Sequence, residues 1–367
     1  MQIEQHFETI DACRFCFMCR HVCTVGVVDS KESDIPRGKA LILFKTLRGH
    51  IDYNADTIET LYRCCLCGLC ETWCVGKYTP RAAVLAARAD IVAEGKEPER
   101  VRQIKDNLLR TGNPFGLPAE ERFQALDAEN LFRPKADVLY YVGCDTAYRQ
   151  PQIARAFLDI LARSKTAFTL LRDERSTGKP LALLGYQKEA HAMAADLAEQ
   201  IRAVQPKVLV TTCPSAFDAF RTNFPAMGLD LSGIEVLHAV QYIDRLLTEG
   251  RLTLREHAPA AVTFLDGTYL GRTHGLYDEP RRILGQIPGL TLREMTWNRN
   301  LAYSCGEAGG VFSLVQPALS RKMAARVLAE ATKTGGATLV TTCPATFSIL
   351  QQANHTELAV KDIVEMV

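Results

Sequence analysis

Residues 207–214 read KVLVTTCP, and nearly the same pattern returns as TLVTTCP at residues 338–344. Each copy places a short apolar, β-branched run directly before Thr-Thr-Cys-Pro, a pattern that predicts a buried strand ending at a cysteine. The two cysteines, Cys213 and Cys343, are 130 positions apart. A repeat of this length is too long for a solenoid, so it indicates two duplicated α/β units. In a parallel sheet, the carboxyl edge that carries these cysteines is where ligands bind.

Strand signals alternate with helix signals on both sides of this repeat. That rhythm predicts α/β units built on mostly parallel sheets. We expect a first lobe over residues 136–255 and a second lobe over residues 256–367. The predicted strands are residues 138–142, 208–210, 262–265 and 338–340, and the predicted helices are residues 190–203 and 318–333.

Two cysteine runs near the start of the chain share one internal spacing. They read CRFCFMCRHVC at residues 13–23 and CCLCGLCETWC at residues 64–74. Both contain Cys-x2-Cys-x2-Cys-x3-Cys, in which three thiolates hold one iron–sulfur cubane and the fourth ligates the neighbouring cluster. The extra thiol, Cys65, is interpreted as a small buried apolar side chain. The two runs predict two [4Fe–4S] clusters.

The same spacing predicts which cysteines share a cluster, because the fourth cysteine of each run belongs to the cluster of the other run. A zinc site or a redox loop would account for a single run, whereas two identical spacings favour iron–sulfur clusters. The first cluster is predicted to be held by Cys13, Cys16, Cys19 and Cys74, and the second by Cys23, Cys64, Cys67 and Cys70.

Helix signals, without hairpin signals, surround the two cysteine runs. The sequences KALILFKTL at residues 39–47 and PRAAVLAARADIVAE at residues 80–94 both predict helices. We therefore expect an all-helical, ferredoxin-like module over residues 1–110. The charged stretch 96–135 is interrupted by prolines and predicts a wrapping linker, of which residues 111–135 join the module to the lobes. The predicted fold class is α+β with several domains.

Composition excludes several classes of function. The 367 residues include 43 Lys and Arg against 42 Asp and Glu, which argues against a nucleic-acid partner. No apolar run reaches the roughly 20 residues of a spanning helix, and the first residues lack the pattern of a signal peptide. Thirteen cysteines without an export signal fit a reducing compartment. We expect a cytoplasmic protein, with any membrane contact peripheral and at the inner face.

Short motifs along nearly the whole chain point to one family. They are both cysteine runs, Val142-Gly143-Cys144, Cys213-Pro214, Leu270-Gly271-Arg272 and Ser304-Cys305-Gly306. With these motifs the chain resembles the iron–sulfur electron-transfer proteins that carry a cysteine-rich CCG domain. That family includes heterodisulfide reductase subunits B and D and the iron–sulfur subunits of glycolate oxidase and of anaerobic glycerol-3-phosphate dehydrogenase. The resemblance implies two repeated α/β CCG-type lobes and electron transfer from a flavoprotein to a quinone or another carrier.

Most cysteines of the family's lobe motif are replaced in this chain. The motif consists of a cysteine, a Cys-Cys-Gly and a Cys-x-x-Cys, and in several relatives its five thiolates hold an unusual iron–sulfur cluster. Here Ser176-Thr177-Gly178 stands for Cys-Cys-Gly in the first lobe, and Thr268 stands for the first cysteine in the second. Hydroxyls replace soft thiolates poorly as cluster ligands. The thiols that remain in the lobes are Cys144, Cys213, Cys305 and Cys343.

Three interpretations of these four lobe cysteines stay open. They are relict buried thiols, or they share one further [4Fe–4S] cluster between the lobes, or they bind a different ligand, which is either zinc or a cluster helped by His238 or His274. The first interpretation predicts that the lobes serve as a docking body and that the chain does not reduce heterodisulfides.

Two clusters without a nucleophile or an acid–base constellation predict an electron conductor. We expect the electron-transfer subunit of a flavin-dependent dehydrogenase complex, with FAD or FMN and the catalysis on a flavoprotein partner. A quinone or another carrier would take the electrons. Two alternatives stay open: a non-catalytic redox-sensing or assembly module, and a heterodisulfide-reductase-like subunit with a third, unusual cluster.

Overall fold

Short helices build the amino-terminal part of the chain. The computed structural model describes residues 1–13, 16–126 and 128–367; residues 14–15 of the first cysteine run and residue 127 of the predicted linker lie outside the described residues. No strand occurs in the described residues before 138, and no described helix is long and apolar enough to cross a bilayer. The α-helices here are α1 (Phe7–Asp11), α2 (Gly26–Asp29), α3 (Pro36–Leu47), α4 (Ala55–Tyr62), α5 (Pro80–Ala93) and α6 (Glu99–Thr111).

Local sequence signals account for where these helices begin. Helices α3 and α5 each have proline in their first turn, where the missing N–H costs nothing and the fixed φ favours the helix. Helix α4 starts at a capping box, in which the Asn54 side chain accepts from the backbone N–H of Thr57 and the Thr57 hydroxyl accepts from that of Asn54. The two helices predicted at residues 39–47 and 80–94 correspond to α3 and α5.

The predicted linker contains a regular helix that the sequence interpretation misses. Helix α6 runs for 13 residues and buries Val101, Ile104 and Leu108, which share one helix face. Its other face is strongly charged, and that charge together with the flanking prolines favours the prediction of an irregular linker over residues 96–135. The apolar spacing, rather than the charge, is the informative signal.

The first lobe contains a four-stranded parallel sheet with strand order β2-β1-β3-β4. Chain order reverses between β1 and β3, so a crevice opens at their carboxyl ends. Its elements are β1 (Val138–Tyr141), α7 (Cys144–Tyr148), α8 (Pro151–Arg163), β2 (Phe168–Thr169), α9 (Lys179–Leu184), α10 (Gln187–Val204), β3 (Val208–Thr211), α11 (Pro214–Asp218), α12 (Phe224–Ala226), β4 (Glu235–His238) and α13 (Ala239–Thr248).

The second lobe repeats this topology, with strand order β6-β5-β7-β8 and parallel pairing throughout. The identical order in both sheets agrees with the duplicated α/β units predicted from the Thr-Thr-Cys-Pro repeat. Its elements are β5 (Ala260–Phe264), α14 (Asp278–Gln286), β6 (Leu290–Leu292), α15 (Phe312–Val315), α16 (Pro317–Thr332), β7 (Thr338–Thr341), α17 (Pro344–Ala353) and β8 (Ala359–Asp362).

The helical part packs directly on the first lobe. The Tyr62 hydroxyl donates to the carbonyl of Leu184 at 2.8 Å, and the buried guanidinium of Arg88 donates to the carbonyl of Leu183 at 2.8 Å. Gly185 makes this approach feasible, because a Cβ there would lie 2.4 Å from the carbonyl oxygen of Arg88. Arg88 also donates to the carbonyl of Cys64 at 2.6 Å, so the second cysteine run is fixed to the same contact.

Candidate functional site

Five cysteines from both runs line one cavity in the helical part, with a volume of about 430 Å³. Cys16 is exposed to solvent at this cavity. The two runs approach closely because Gly76 has no side chain: a Cβ there would lie 2.7 Å from the carbonyl oxygen of Ala12. We call these thiols the outer set: Cys13, Cys16, Cys19, Cys70 and Cys74.

The outer set has an apolar and basic rim. Met18 and Val75 line the cavity, and Val75 is 81% exposed. The neighbouring Phe17 is also exposed, and the guanidinium of Arg37 lies over its ring at 4.4 Å from the ring centre. Exposed apolar side chains grouped around a site are typical of a contact surface.

A second group of thiols lies where the helical part meets the lobes; Cys67 is buried, and Cys23, Cys64 and Cys70 are half-buried. Desolvation, with smaller contributions from the thiols of Cys67 and Cys64, raises the pKa of Cys23 to about 12, although the charge of Lys39 and the N–H of Gly26 oppose the shift. Burial also raises the pKa of Cys70, to which the thiols of Cys67, Cys23 and Cys64 contribute. Next to Cys23, the hydroxyl of Thr24 lies 3.5 Å from Sγ of Cys65 and 3.7 Å from Sγ of Cys67, so the end of the first run packs against the second run. We call this group the inner set: Cys23, Cys64, Cys67 and Cys70.

Backbone N–H groups donate hydrogen bonds to sulfur atoms of both sets. The N–H of Gly26 donates to Sγ of Cys23 at 3.4 Å, and the N–H of Tyr78 donates to Sγ of Cys74 at 3.3 Å. Hydrogen bonds of this kind stabilise thiolate and tune iron–sulfur centres.

Both sets consist of thiols, the soft ligands that iron–sulfur clusters take. Among the described residues, no three His, Cys, Asp or Glu side chains are grouped closely enough to share one metal ion. The outer thiols instead surround a cavity, as ligands at separate corners of a cubane would. A buried thiolate needs compensating positive charge, which iron supplies.

A smaller cavity of about 40 Å³ lies between the two lobes, at the carboxyl ends of their strands. Cys144 follows β1, Cys213 follows β3 and Cys343 follows β7, and all three line this interlobe cavity. Cys305 is completely buried and is not among the lining residues. The structure thus brings three of the four lobe cysteines to one cavity.

In the second lobe a buried carboxylate binds the positions where the family motif has cysteines. Glu307 accepts hydrogen bonds from the backbone N–H of Thr268 at 3.2 Å and from the hydroxyls of Thr268 and Ser304. Thr268 stands where the first motif cysteine would be, and Ser304 where the first cysteine of Cys-Cys-Gly would be. The network fills these positions with satisfied oxygen donors and acceptors instead of thiolates.

The first lobe has a comparable arrangement. Glu174 accepts from the backbone N–H groups of Val142 and Gly143, at 2.8 and 2.9 Å, and pairs with the buried guanidinium of Arg122 at 2.6 Å. Both terminal nitrogens of that guanidinium approach Sγ of Cys144 at 3.7 Å. In both lobes, then, a buried carboxylate holds the loop that follows the first strand of the sheet.

A third buried polar group joins the lobes to each other. Lys179 forms an ion pair with Asp218, and Nζ of Lys179 lies 4.2 Å from the centre of the Tyr269 ring. Nε2 of His274, from the second lobe, lies 2.7 Å from the same Asp218 carboxylate. His274 therefore has a hydrogen-bonding role here, as does His238, whose Nδ1 accepts from the N–H of Val240 at the start of α13.

The charged residues of these networks were not predicted from the sequence. Arg272 entered the sequence analysis only as part of the motif Leu270-Gly271-Arg272, yet its guanidinium contacts the second cysteine run across 205 positions of sequence. Glu307 and Arg122 were not predicted as site residues. Their partners are distant in sequence or lie on the other side of a turn, and no local pattern signals such contacts.

Comparison with protein-family models identifies the cysteine-rich CCG domain twice, at residues 138–217 and 262–350. These two matches fall on the two lobes described above.

Among curated proteins, the chain is 26% identical over 356 residues to one of the subunits of the dihydromethanophenazine:CoB–CoM heterodisulfide reductase of Methanosarcina acetivorans, covering 91% of this chain and 87% of that protein. It is 28% identical over 343 residues to the probable iron-sulfur-binding oxidoreductase FadF of Bacillus subtilis, covering 86% and 48%. It is 24% identical over 280 residues to the EtfAB:quinone oxidoreductase of Syntrophomonas wolfei, covering 73% and 39%. The chain thus spans about half or less of the last two relatives.

Among solved structures, a hypothetical protein from Helicobacter pylori superposes with a TM-score of 0.55 at 8% identity, covering 99% of this chain and 74% of that one. At this identity the match supports the fold alone.

Proposed function

The chain carries two copies of the cysteine-rich CCG domain, and from this premise we propose that it is the iron–sulfur electron-transfer subunit of an oxidoreductase. The relatives of the chain are named as a probable iron-sulfur-binding oxidoreductase, a heterodisulfide reductase subunit and a quinone oxidoreductase. The observation that supports the proposal is the contact between the two runs: Cys70 and Cys74 line one cavity with Cys13, Cys16 and Cys19, and Thr24, next to Cys23, lies 3.7 Å from Sγ of Cys67.

We propose that residues 1–110 form a ferredoxin-like module with two [4Fe–4S] clusters, followed by a linker and the two lobes. Each cluster, when bound, would carry one electron at a time. The outer ligands are Cys13, Cys16, Cys19 and Cys74, and the inner ligands are Cys23, Cys64, Cys67 and Cys70. Cys70 borders both groups, which fits a short distance between the two centres.

The two sets have different surroundings and therefore different roles. The outer set reaches the surface at Cys16, within the apolar rim of Phe17, Met18 and Val75, so it is the face that exchanges electrons with a partner. The inner set packs against the lobes, with Cys67 buried and the other three thiols half-buried. Arg88 and Arg272 bind backbone carbonyls of its loop and fix the loop in place.

The partner that we propose is a flavoprotein dehydrogenase carrying FAD or FMN, with a quinone or another carrier as the acceptor. The name of the relative from Syntrophomonas wolfei, which includes a quinone, supports this class of acceptor. Delivery to a quinone would place the protein at the cytoplasmic face of the membrane.

We also propose that the lobes act as a docking body without a cluster of their own. The carboxylates of Glu307 and Glu174 support this interpretation, because they bind the loops that would have to present thiolates.

The proposal can be tested with the anaerobically purified full chain and the flavoprotein that copurifies with it. Substrate-reduced flavoprotein should reduce both clusters, and a water-soluble quinone should reoxidise them. Clusters that assemble but stay inert to the flavoprotein and to the quinone would support a redox-sensing or assembly role instead. Reduction of a heterodisulfide by the chain with a chemical donor would overturn the interpretation of the lobes.

A further inference from the structure

One arginine of the second lobe connects the inner set to a replaced ligand position. Arg272 lies in a π-helical turn, Thr268–Thr273, and each part of its guanidinium has its own acceptor. Nε donates to the carbonyl of Cys67 at 2.8 Å, Nη1 to the carbonyl of Ala302 at 2.6 Å, and Nη2 to the hydroxyl of Thr268 at 3.1 Å. Three acceptors in three directions fix both the position and the plane of this cation.

The charge of Arg272 lies beside the inner set, and its three acceptors in the described part of the chain are uncharged. One of them, the Thr268 hydroxyl, in turn donates to Glu307. Arg81, another arginine beside the second cysteine run, is different: it pairs with Glu71 at 2.7 Å. Arg88, which donates to the carbonyl of Cys64, likewise has carbonyl acceptors, whereas Arg272 reaches the Cys67 loop from the second lobe.

A cation in this place has a defined effect on an iron–sulfur centre. Reduction adds negative charge, and a nearby positive charge stabilises the reduced form more than the oxidised form. Solvent screening is weak because Cys67 is buried and Arg272 is partly buried.

On the basis of the proposed function, we propose that Arg272 is a positioning residue that raises the reduction potential of the inner cluster through its contact with the Cys67 loop. The hydroxyl of Thr268, which replaces a motif cysteine, accepts a hydrogen bond from the guanidinium and fixes its orientation. The second lobe thus has a role that needs no cluster of its own, because it holds a cation against the inner cluster. The higher reduction potential of the inner cluster would favour electron transfer from the outer cluster to the inner one.

The experiment is an EPR-monitored redox titration of the full-length, cluster-loaded chain. Arg272→Gln should lower the equilibrium constant for reduction of the inner cluster at least tenfold, which is about 59 mV for a one-electron couple, and should leave the outer cluster unchanged. Arg272→Lys, which keeps the charge, should recover most of this loss. Arg282→Gln serves as the matched control, because Arg282 is an exposed arginine of the same lobe that pairs with Asp244; it should move neither potential.

A second variant tests the same idea with the opposite sign. Glu307→Gln removes the negative charge behind Thr268 with little change in shape, so it should raise the potential of the inner cluster. If the Arg272→Gln chain does not bind its clusters, the potential of the inner cluster in Glu307→Gln tests the proposal instead. Unchanged inner potentials in both variants, or equal shifts of both clusters, would refute the role of Arg272. A wild-type chain that binds no cluster would instead refute the proposed function.

Discussion

The hydroxyl of Thr268 donates a hydrogen bond to the carboxylate of Glu307, inside the second lobe and next to the interlobe cavity. Thr268 occupies the position of a motif cysteine, and the carboxylate that it binds also holds Ser304, at a second such position. The side chains at these two positions are therefore hydrogen-bonded to Glu307. A compact polar network connects these positions to Arg272 and, through it, to the second cysteine run.

Removal of Glu307 should destabilise the protein. Glu307→Ala leaves two buried hydroxyls and one backbone N–H without their acceptor, and each unsatisfied buried group costs about 1–3 kcal/mol. We expect a total loss of about 3 kcal/mol in unfolding free energy, measured by urea denaturation. Glu249→Ala, at an exposed acid, is the control and should change the urea midpoint little. A Glu307→Ala variant as stable as the wild type would contradict the structural role of the network.

The proposed exchange of fourth cysteines between the two clusters predicts which substitutions share a phenotype. Cys74→Ser should remove the same EPR signal as Cys16→Ser, although the two residues belong to different runs. Cys23→Ser should remove the same signal as Cys67→Ser. Cys65→Ser replaces the extra buried thiol and should leave both signals intact. Pairing of Cys74→Ser with Cys67→Ser in these spectra would show that each run holds its own cluster.

The rim of the outer set should govern the reaction with the partner. Val75→Asp places a charge in an apolar contact surface beside Cys16, so it should slow reduction by the flavoprotein roughly tenfold, whereas reduction by dithionite should not change. Leu109→Asp changes an exposed apolar residue of α6 and is the matched control. Equal rates for Val75→Asp and the wild type, in stopped-flow measurements, would rule out this face as the docking site.

His238 should make the free energy of unfolding depend on pH. Burial lowers the pKa of His238 to about 3 in the folded protein, whereas a histidine of the unfolded chain has a pKa of about 6.5. Between these values the unfolded state binds the additional proton, so stability falls as the pH drops below about 6.5, by up to about 1.4 kcal/mol per pH unit.

The check is a comparison of urea denaturation at pH 7 and pH 5.5. His238→Asn can still accept the hydrogen bond from Val240 but does not titrate, so it should show a smaller loss at pH 5.5 than the wild type. The exposed His355→Asn should behave like the wild type. Identical pH dependence in all three proteins would show that His238 does not contribute.

The central strands could be predicted from sequence, and the edge strands could not. Strands β1, β3, β5 and β7 are largely buried apolar runs, and each lies within about two residues of its prediction. The four strands without a prediction are the edge strands of the two sheets, and each pairs with one of the predicted strands. Strand β2 has only two residues, and β6 is only partly buried, so neither has a clear apolar signal.

The candidate site divides in the same way. The cysteine runs are local patterns, so the sequence alone predicts their chemistry. The contact of Arg272 with Cys67 and that of Arg122 with Glu174 depend on the packing of distant segments, and no spacing indicates them. The proposed ligands therefore stay a prediction from the sequence, whereas the charges around them become visible only in the structure.

The central claim, two [4Fe–4S] clusters that carry electrons, is tested most directly by iron and sulfide analysis of the anaerobically reconstituted chain, combined with quantitative EPR after reduction. We predict about eight irons and eight sulfides per chain, with two interacting one-electron centres. Four irons or fewer, or eight irons that no donor reduces, would contradict it. Twelve irons would show that the lobes hold a further cluster, contrary to the role proposed for Glu307 and Glu174.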